Sequence, residues 1–176
     1  IAIPRVEWKT GDRHTDFGFE ANPDLDFETA ARRRDFTCNA IGWNPLTGEL
    51  LDPYRGIDDL NAGILRHVSA QFGEDALRVL RAMQFIARFD LVAAPETLDV
   101  CKTLRQSHLA EERIFEEWKK LILQGITPSR GLFFLNEAGW LRHYPELHAT
   151  VDCPQDPRWH PEGSVWRHTC FCLDAF

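Results

Sequence analysis

Glu74-Asp75-Ala76-Leu77-Arg78-Val79-Leu80-Arg81-Ala82-Met83-Gln84-Phe85 sets polar side chains three residues apart in an otherwise apolar run. At about 100° per residue, Asp75, Arg78, Arg81 and Gln84 are expected to form a polar strip along one helix spanning Gly73 to Phe89. The strip combines an acceptor with donors. Cytosine and adenine each show an exocyclic amine beside an unprotonated ring nitrogen, whereas uracil and guanine show a carbonyl beside a ring N–H. A carboxylate next to a guanidinium therefore matches the first two bases and mismatches the others. The same residues also read as the solvated face of an amphipathic helix, with an ion pair worth about 0.3 kcal/mol. This stretch alone does not separate the two readings.

On the N-terminal side of this helix the pattern is mixed. Ile1 to Lys9 alternates as a strand, Gly11 to His14 is turn material, and Phe17 to Glu20 reads as a second short strand. Phe27 to Arg34 reads as a short helix, Thr37 to Trp43 as a strand, and Asn44 to Gly48 as the turn of a hairpin returning through Glu49 to Asp52. Asp58 to Ala62 makes a helical turn, for which Asp58 or Asp59 is the expected cap, and Ile64 to Val68 is apolar and extended. Past residue 90 the chain becomes helical: Pro95 to Ser107, Glu111 to Gln124, Ser129 to Glu137 closed by Gly139, Trp140 to Leu147 as helix or turn, and a last helix from Ser164. The fold class is α+β. The expected division is a partial head over residues 1–66, a helical neck over 67–125 and a helical body over 126–176.

A chain of 176 residues with 44% hydrophobic content buries a sizeable core. No run of about 18 apolar residues occurs, so no membrane partner is expected and the location reads as cytoplasmic. Cysteines 38, 101, 153, 170 and 172 give an odd count without a C-x-x-C pair, which fits reduced thiols. The net charge of -7 argues against a generally basic nucleic-acid binder, so any RNA contact must be local. Residues 67–150 carry 10 Lys and Arg against 11 Asp and Glu, and this nearly neutral stretch is where a positive face is expected.

Three further blocks accompany the helix: Arg33-Arg34-Asp35-Phe36-Thr37-Cys38-Asn39-Ala40, Asp52-Pro53-Tyr54-Arg55-Gly56-Ile57-Asp58-Asp59-Leu60, and Glu112-Arg113-Ile114. In this order the blocks resemble class II, the bacterial and eukaryotic branch, of the tRNA nucleotidyltransferase and poly(A) polymerase superfamily, which includes the CCA-adding enzymes. The resemblance runs from about Ile1 to His168. It implies a transferase that adds CMP and AMP from CTP and ATP to the tRNA 3' end, with A-adding or poly(A) activity as the close alternative. A non-catalytic helical module that binds RNA or nucleotide is the alternative of another class.

By that resemblance the nucleotide-binding residues are Arg33, Arg34, Asp35, Asn39, Asp75, Arg78, Arg81 and Gln84. Arg34 is assigned to phosphate, Asn39 to the ribose or to support behind it, and Asp59 and Arg113 to structural work between head and neck. Gln84 departs from the pattern, since many relatives carry an arginine at that step; Arg88 lies on nearly the same face.

The resemblance also implies Mg²⁺, held by an Asp-x-Asp pair after a glycine-rich turn and by a third acid. Asp24-Leu25-Asp26 has the bare spacing but lacks that turn. The metal carboxylates are therefore expected upstream of Ile1, no catalytic or metal residue is assigned within the chain, and residues 1–176 are not expected to transfer nucleotides alone. His160 to Thr169 resembles the opening of an HD-type phosphohydrolase domain, in which His168 would be a single stranded ligand. A zinc set of Cys153, His160, His168 and Cys170 fits no common spacing.

Overall fold

The computed structural model describes residues 5–9, 17–107 and 109–176. The expected turn at Gly11 to His14 and the first residues of the expected first strand lie outside them. An antiparallel ribbon of β1 (Arg5–Lys9) and β2 (Phe17–Ala21) leads into helix α1 (Phe27–Ala31). A 3-10 turn at Thr37–Asn39, the hairpin β3 (Gly42–Trp43) and β4 (Leu50–Leu51), helix α2 (Gly56–Asn61) and β5 (Ile64–Leu65) follow. Then come a 3-10 turn at Ala70–Glu74, α3 (Leu77–Phe89), β6 (Val92–Ala93), α4 (Pro95–Thr103), α5 (Glu111–Gln124) and α6 (Pro128–Glu137). A 3-10 turn at Trp140–His143, α7 (Pro145–His148) and α8 (Val165–Ala175) complete the described part. The architecture is α+β, with short strands ahead of a helical assembly.

Local chemistry accounts for many of these boundaries. The Asp26 side chain accepts the Thr29 N–H and caps α1, and the Ser164 hydroxyl accepts from Arg167 and caps α8. Pro95, Pro128 and Pro145 open α4, α6 and α7, where a missing N–H costs nothing. Gly139 (φ 68°) supplies the left-handed residue past the end of α6.

Helix α3 is the centre of the core. Val79, Leu80, Ala82, Met83, Ile86 and Ala87 are all buried, and the helix packs against α5 and α6. Burial of each large side chain stabilises by roughly 1.5–3 kcal/mol. The approach of α6 is close enough to require glycine: a Cβ at Gly131 would lie 2.6 Å from the Met83 carbonyl oxygen and 2.8 Å from Leu121 Cδ1. Phe36, from the strand-containing part, stacks on both Phe72 and Phe85, so the two parts share one apolar cluster.

The structure corrects several expectations. The Thr37 to Trp43 strand is a 3-10 turn followed by a two-residue strand, because Asp35 accepts both the Phe36 N–H and the Asn39 amide and winds the backbone locally. The central helix begins at Leu77 and not at Gly73; Asp75 is extended (φ -127°, ψ 103°) and its carboxylate accepts the Leu77 N–H. The helix expected to run to Ser107 stops at Thr103, whereas Trp140 to Leu147, expected as helix or turn, is two short turns broken at Tyr144. Ile64–Leu65 pairs in parallel with Val92–Ala93, on the far side of α3. Neither Asp58 nor Asp59 caps α2: Asp52 does, accepting from Gly56 and Ile57 at 2.7 and 2.9 Å.

Candidate functional site

The first turn of α3, the first half of α5 and the segment after α1 enclose a cleft of about 700 Å³. Arg33, Arg34 and Asp35 line it from the segment after α1, Asp75, Leu77, Arg78 and Arg81 from α3 and the residues before it, and Glu112, Arg113, Glu116 and Glu117 from α5. Five guanidinium groups thus face five carboxylates. The pairing is specific. Asp35, almost fully buried, accepts at Oδ2 from Arg81 Nε at 2.7 Å, and Arg81 Nη2 lies 2.6 Å from the same oxygen as an ion pair. Asp75 accepts at Oδ2 from Arg113 Nη2 at 2.7 Å. Arg78 donates to two backbone carbonyls, those of Gln71 and Arg33, each at 2.7 Å. Burial draws the Arg78 pKa down from its ordinary value, and the neighbouring Asp35 and Asp75 oppose that effect. The guanidinium remains charged.

Arg34 differs from its neighbours. Its side chain is exposed, and among the described residues it takes no hydrogen bond or ion pair, which leaves its donors available to an anion at the cleft mouth. Asp75 keeps acceptor capacity too, because each carboxylate oxygen has two lone pairs and each is used once. Arg78 keeps its Nε–H and the second hydrogen on each terminal nitrogen.

The structure therefore brings together Arg33, Arg34, Asp35, Asp75, Arg78, Arg81 and Arg113. It does not bring in the others. Gln84 is 1% exposed and points into the core, where its amide oxygen accepts from Arg88 at 3.0 Å, so the four-residue strip does not exist as expected. Three steps of three residues turn a helical side chain by about 180°, and Asp75 is not helical in any case. Asn39 stands behind the cleft and donates to Asp35 Oδ1 at 2.9 Å. Asp59 is buried on α2, where it accepts from Thr37 Oγ1 at 2.8 Å and from Arg66 Nε at 3.0 Å; Arg66 also pairs with Glu96.

Glu117 is the residue that sequence reasoning missed. It is 3% exposed, bonds Lys120 at 2.7 Å and lies 3.8 Å from Arg81 Nη1, so that Arg81 bridges α5 and the head. The available signal was its position four residues after Arg113, which places both on one face of α5. Asp24-Leu25-Asp26 takes no part: Asp26 is occupied by both the backbone and the hydroxyl of Thr29.

The result is an arginine-rich cleft between the strand-containing part and the helices that follow it. Residues 4–66 match the family model described as the poly(A) polymerase head domain. The chain is 40% identical over 178 residues to a Nitrosococcus oceani protein named Multifunctional CCA protein, an alignment covering 98% of this chain and 43% of that one. Among solved structures it resembles the Bacillus stearothermophilus CCA-adding enzyme in complex with CTP, at 31% identity and a TM-score of 0.59 over 72% of this chain and 32% of that one. It also resembles the Thermotoga maritima CCA-adding enzyme complexed with tRNA, at 26% identity and a TM-score of 0.61 over 74% and 32%. Residues 4–66 thus carry the poly(A) polymerase head-domain match, and the chain as a whole is similar to CCA-adding proteins; it spans about 43% of the length of the curated relative it matches.

Proposed function

We propose that this chain is the nucleotide-selecting part of a template-independent tRNA nucleotidyltransferase that extends the tRNA 3' end with CMP and AMP from CTP and ATP. The carrying observation is the convergence of Arg33, Arg34 and Asp35 with Asp75, Arg78, Arg81 and Arg113 on one cleft. Arg34 engages the triphosphate at the mouth. Asp75 accepts from the exocyclic amine of cytosine or adenine, and Arg78 donates to the adjacent ring nitrogen. Asp35 holds Arg81, and Asn39 holds Asp35. Asp59 and Arg113 are positioning residues, one beneath the head and one fixing the Asp75 carboxylate.

Residues 1–66 serve as head, 67–125 as neck and 126–176 as body. A solved relative bound to CTP and another bound to tRNA support these ligands. The family chemistry requires Mg²⁺, and the described carboxylates of the cleft do not form a set suited to it, being committed largely to arginine, lysine and backbone partners. Among the described residues no helix is long and apolar enough to cross a membrane.

The test is calorimetric titration of the protein with each nucleoside triphosphate. Tighter binding of CTP and ATP than of UTP and GTP is expected. Binding without preference among the four would contradict the assigned base contacts.

A further inference from the structure

Within residues 67–150, the stretch in which the sequence places a local positive face, two guanidinium groups stand together at the end of α4. Arg105 Nη1 donates to the Lys102 and Leu104 carbonyls at 3.3 and 3.2 Å, and Arg142 Nη2, from the turn after α6, donates to the same Leu104 carbonyl at 2.9 Å. Arg142 Nε also donates to His143 Nε2 at 3.3 Å, and that nitrogen accepts the Gln106 N–H at the same distance. Both arginines are exposed, and among the described residues neither pairs with a carboxylate. We propose that Arg105 and Arg142 hold a phosphodiester group of the RNA strand whose 3' end enters the cleft, an inference that rests on the tRNA reading above.

Helix capping does not account for both cations. The C-terminus of α4 carries roughly half a negative charge, against two full guanidinium charges. The neighbouring Lys102 is already matched by Asp99 at 3.1 Å. More than one positive charge is therefore left over, in a chain whose net charge is -7. The surroundings register that excess. Burial, then Arg142 and Arg105, draw the His143 pKa below its ordinary value, and burial followed by Arg105 does the same to Arg142. An anion bound by both guanidinium groups relieves their mutual repulsion.

The geometry suits phosphate. Arg105 keeps its Nε and Nη2 donors and Arg142 keeps Nη1, so a fork of N–H groups remains on each side of the Leu104 carbonyl. Position favours a strand over a free anion. A Cβ at Gly73 would lie 3.8 Å from Leu104 Cδ2, and Gly73 stands two residues before Asp75 of the cleft. Leu104 is thus within roughly 17 Å of Asp75, from Cα to Cα. A helical strand advances about 3.4 Å per nucleotide, so one ending in the cleft presents a phosphate at the patch no more than about five nucleotides from its end.

The test is fluorescence anisotropy of a labelled tRNA lacking its 3'-terminal nucleotides, titrated at several salt concentrations with the parent protein, Arg105→Gln, Arg142→Gln and the double variant. Each single variant should flatten the dependence of log affinity on log salt by about 0.7–0.9, and the double variant by about twice that. The loss per arginine is expected to be roughly five- to tenfold at about 0.1 M salt. Circular dichroism identifies folded variants, and Arg105→Gln, which touches only backbone carbonyls, carries the test should Arg142→Gln not fold. An unchanged slope in the folded variants would overturn the proposal alone and leave both arginines as caps of α4. Calorimetry with CTP separates strand from free nucleotide: weaker CTP binding beside an unchanged tRNA slope would likewise refute it. A parent protein that binds CTP but not the tRNA would overturn the proposal together with the tRNA reading.

Discussion

Removing the Asp35 carboxylate should damage the fold by an amount that the geometry fixes. Asp35 is 8% exposed and accepts three hydrogen bonds, the Phe36 N–H and Asn39 Nδ2 at Oδ1, both at 2.9 Å, and Arg81 Nε at Oδ2, with Arg81 Nη2 completing the ion pair. Breaking a buried ion pair from one side costs about 3–5 kcal/mol. The Arg81 side chain is 31% exposed, so water recovers part of that and the lower end applies. Asp35→Ala is therefore expected to lower the unfolding free energy by about 3 kcal/mol. Asp35→Asn keeps an acceptor for Phe36 and Asn39 and loses only the charge-assisted bonds, for about 1.5–2 kcal/mol. Urea unfolding followed by tryptophan fluorescence reads both values, with the slope unchanged. The double variant with Arg81→Ala should fall well short of the sum of the single effects. An Asp35→Ala midpoint within error of the parent would return Arg33-Arg34-Asp35 to a solvated surface cluster, and equal losses in Asp35→Ala and Asp35→Asn would refute the division between neutral and charged bonds.

Arg34→Ala should weaken CTP and ATP alike, by roughly 1.5–3 kcal/mol, because a phosphate contact is blind to the base; a loss confined to one nucleotide, measured by calorimetry, would contradict the phosphate role. Gly131→Ala should cost about 1–3 kcal/mol in urea unfolding, since its methyl group meets the Met83 carbonyl at 2.6 Å and must push α6 from α3; an unchanged midpoint would show that the helices have slack. Burial, reinforced by Arg66, holds the His67 pKa below its ordinary 6.5, and its Nδ1 lies 2.8 Å from Thr97 Oγ1. The unfolded chain therefore takes up a proton first on acidification, so stability falls as pH drops through 6.5 toward the lowered folded value and levels off below it. His67→Gln should remove that component from the pH profile of the unfolding midpoint, and an identical profile in the variant would refute it.

The helices past residue 90 were legible because periodic apolar residues, prolines at first turns and Gly139 all point the same way. The cleft was legible only in part. Sequence spacing placed Arg78 and Arg81 on the helix correctly, since both lie within Leu77–Phe89. It failed for Asp75 and Gln84 for different reasons. Asp75 is taken out of the helix because its own carboxylate accepts the Leu77 N–H, a local competition that periodicity does not register. Gln84 is carried to the buried side by the drift of three-residue steps around a 3.6-residue turn. The partners of Arg81 and Arg113 come from 46 and 38 residues away, and the pairing of β5 with β6 spans all of α3. Such contacts are set by tertiary packing, so no local pattern announces them.

The most direct measurement of the central claim is the set of four nucleotide affinities for the parent and for folded Asp75→Ala, Arg78→Ala and Arg113→Ala proteins. Removing the Asp75 acceptor should cost on the order of 1–3 kcal/mol with CTP and ATP and narrow their advantage over UTP and GTP. Arg78→Ala should do the same from the donor side, and Arg113→Ala, which frees Asp75 without deleting its acceptor, should have the smaller effect on selectivity. Undiminished preference for CTP and ATP in both the Asp75→Ala and Arg78→Ala proteins would contradict the account, leaving these residues as the ion-pair and backbone staples of the cleft wall alone.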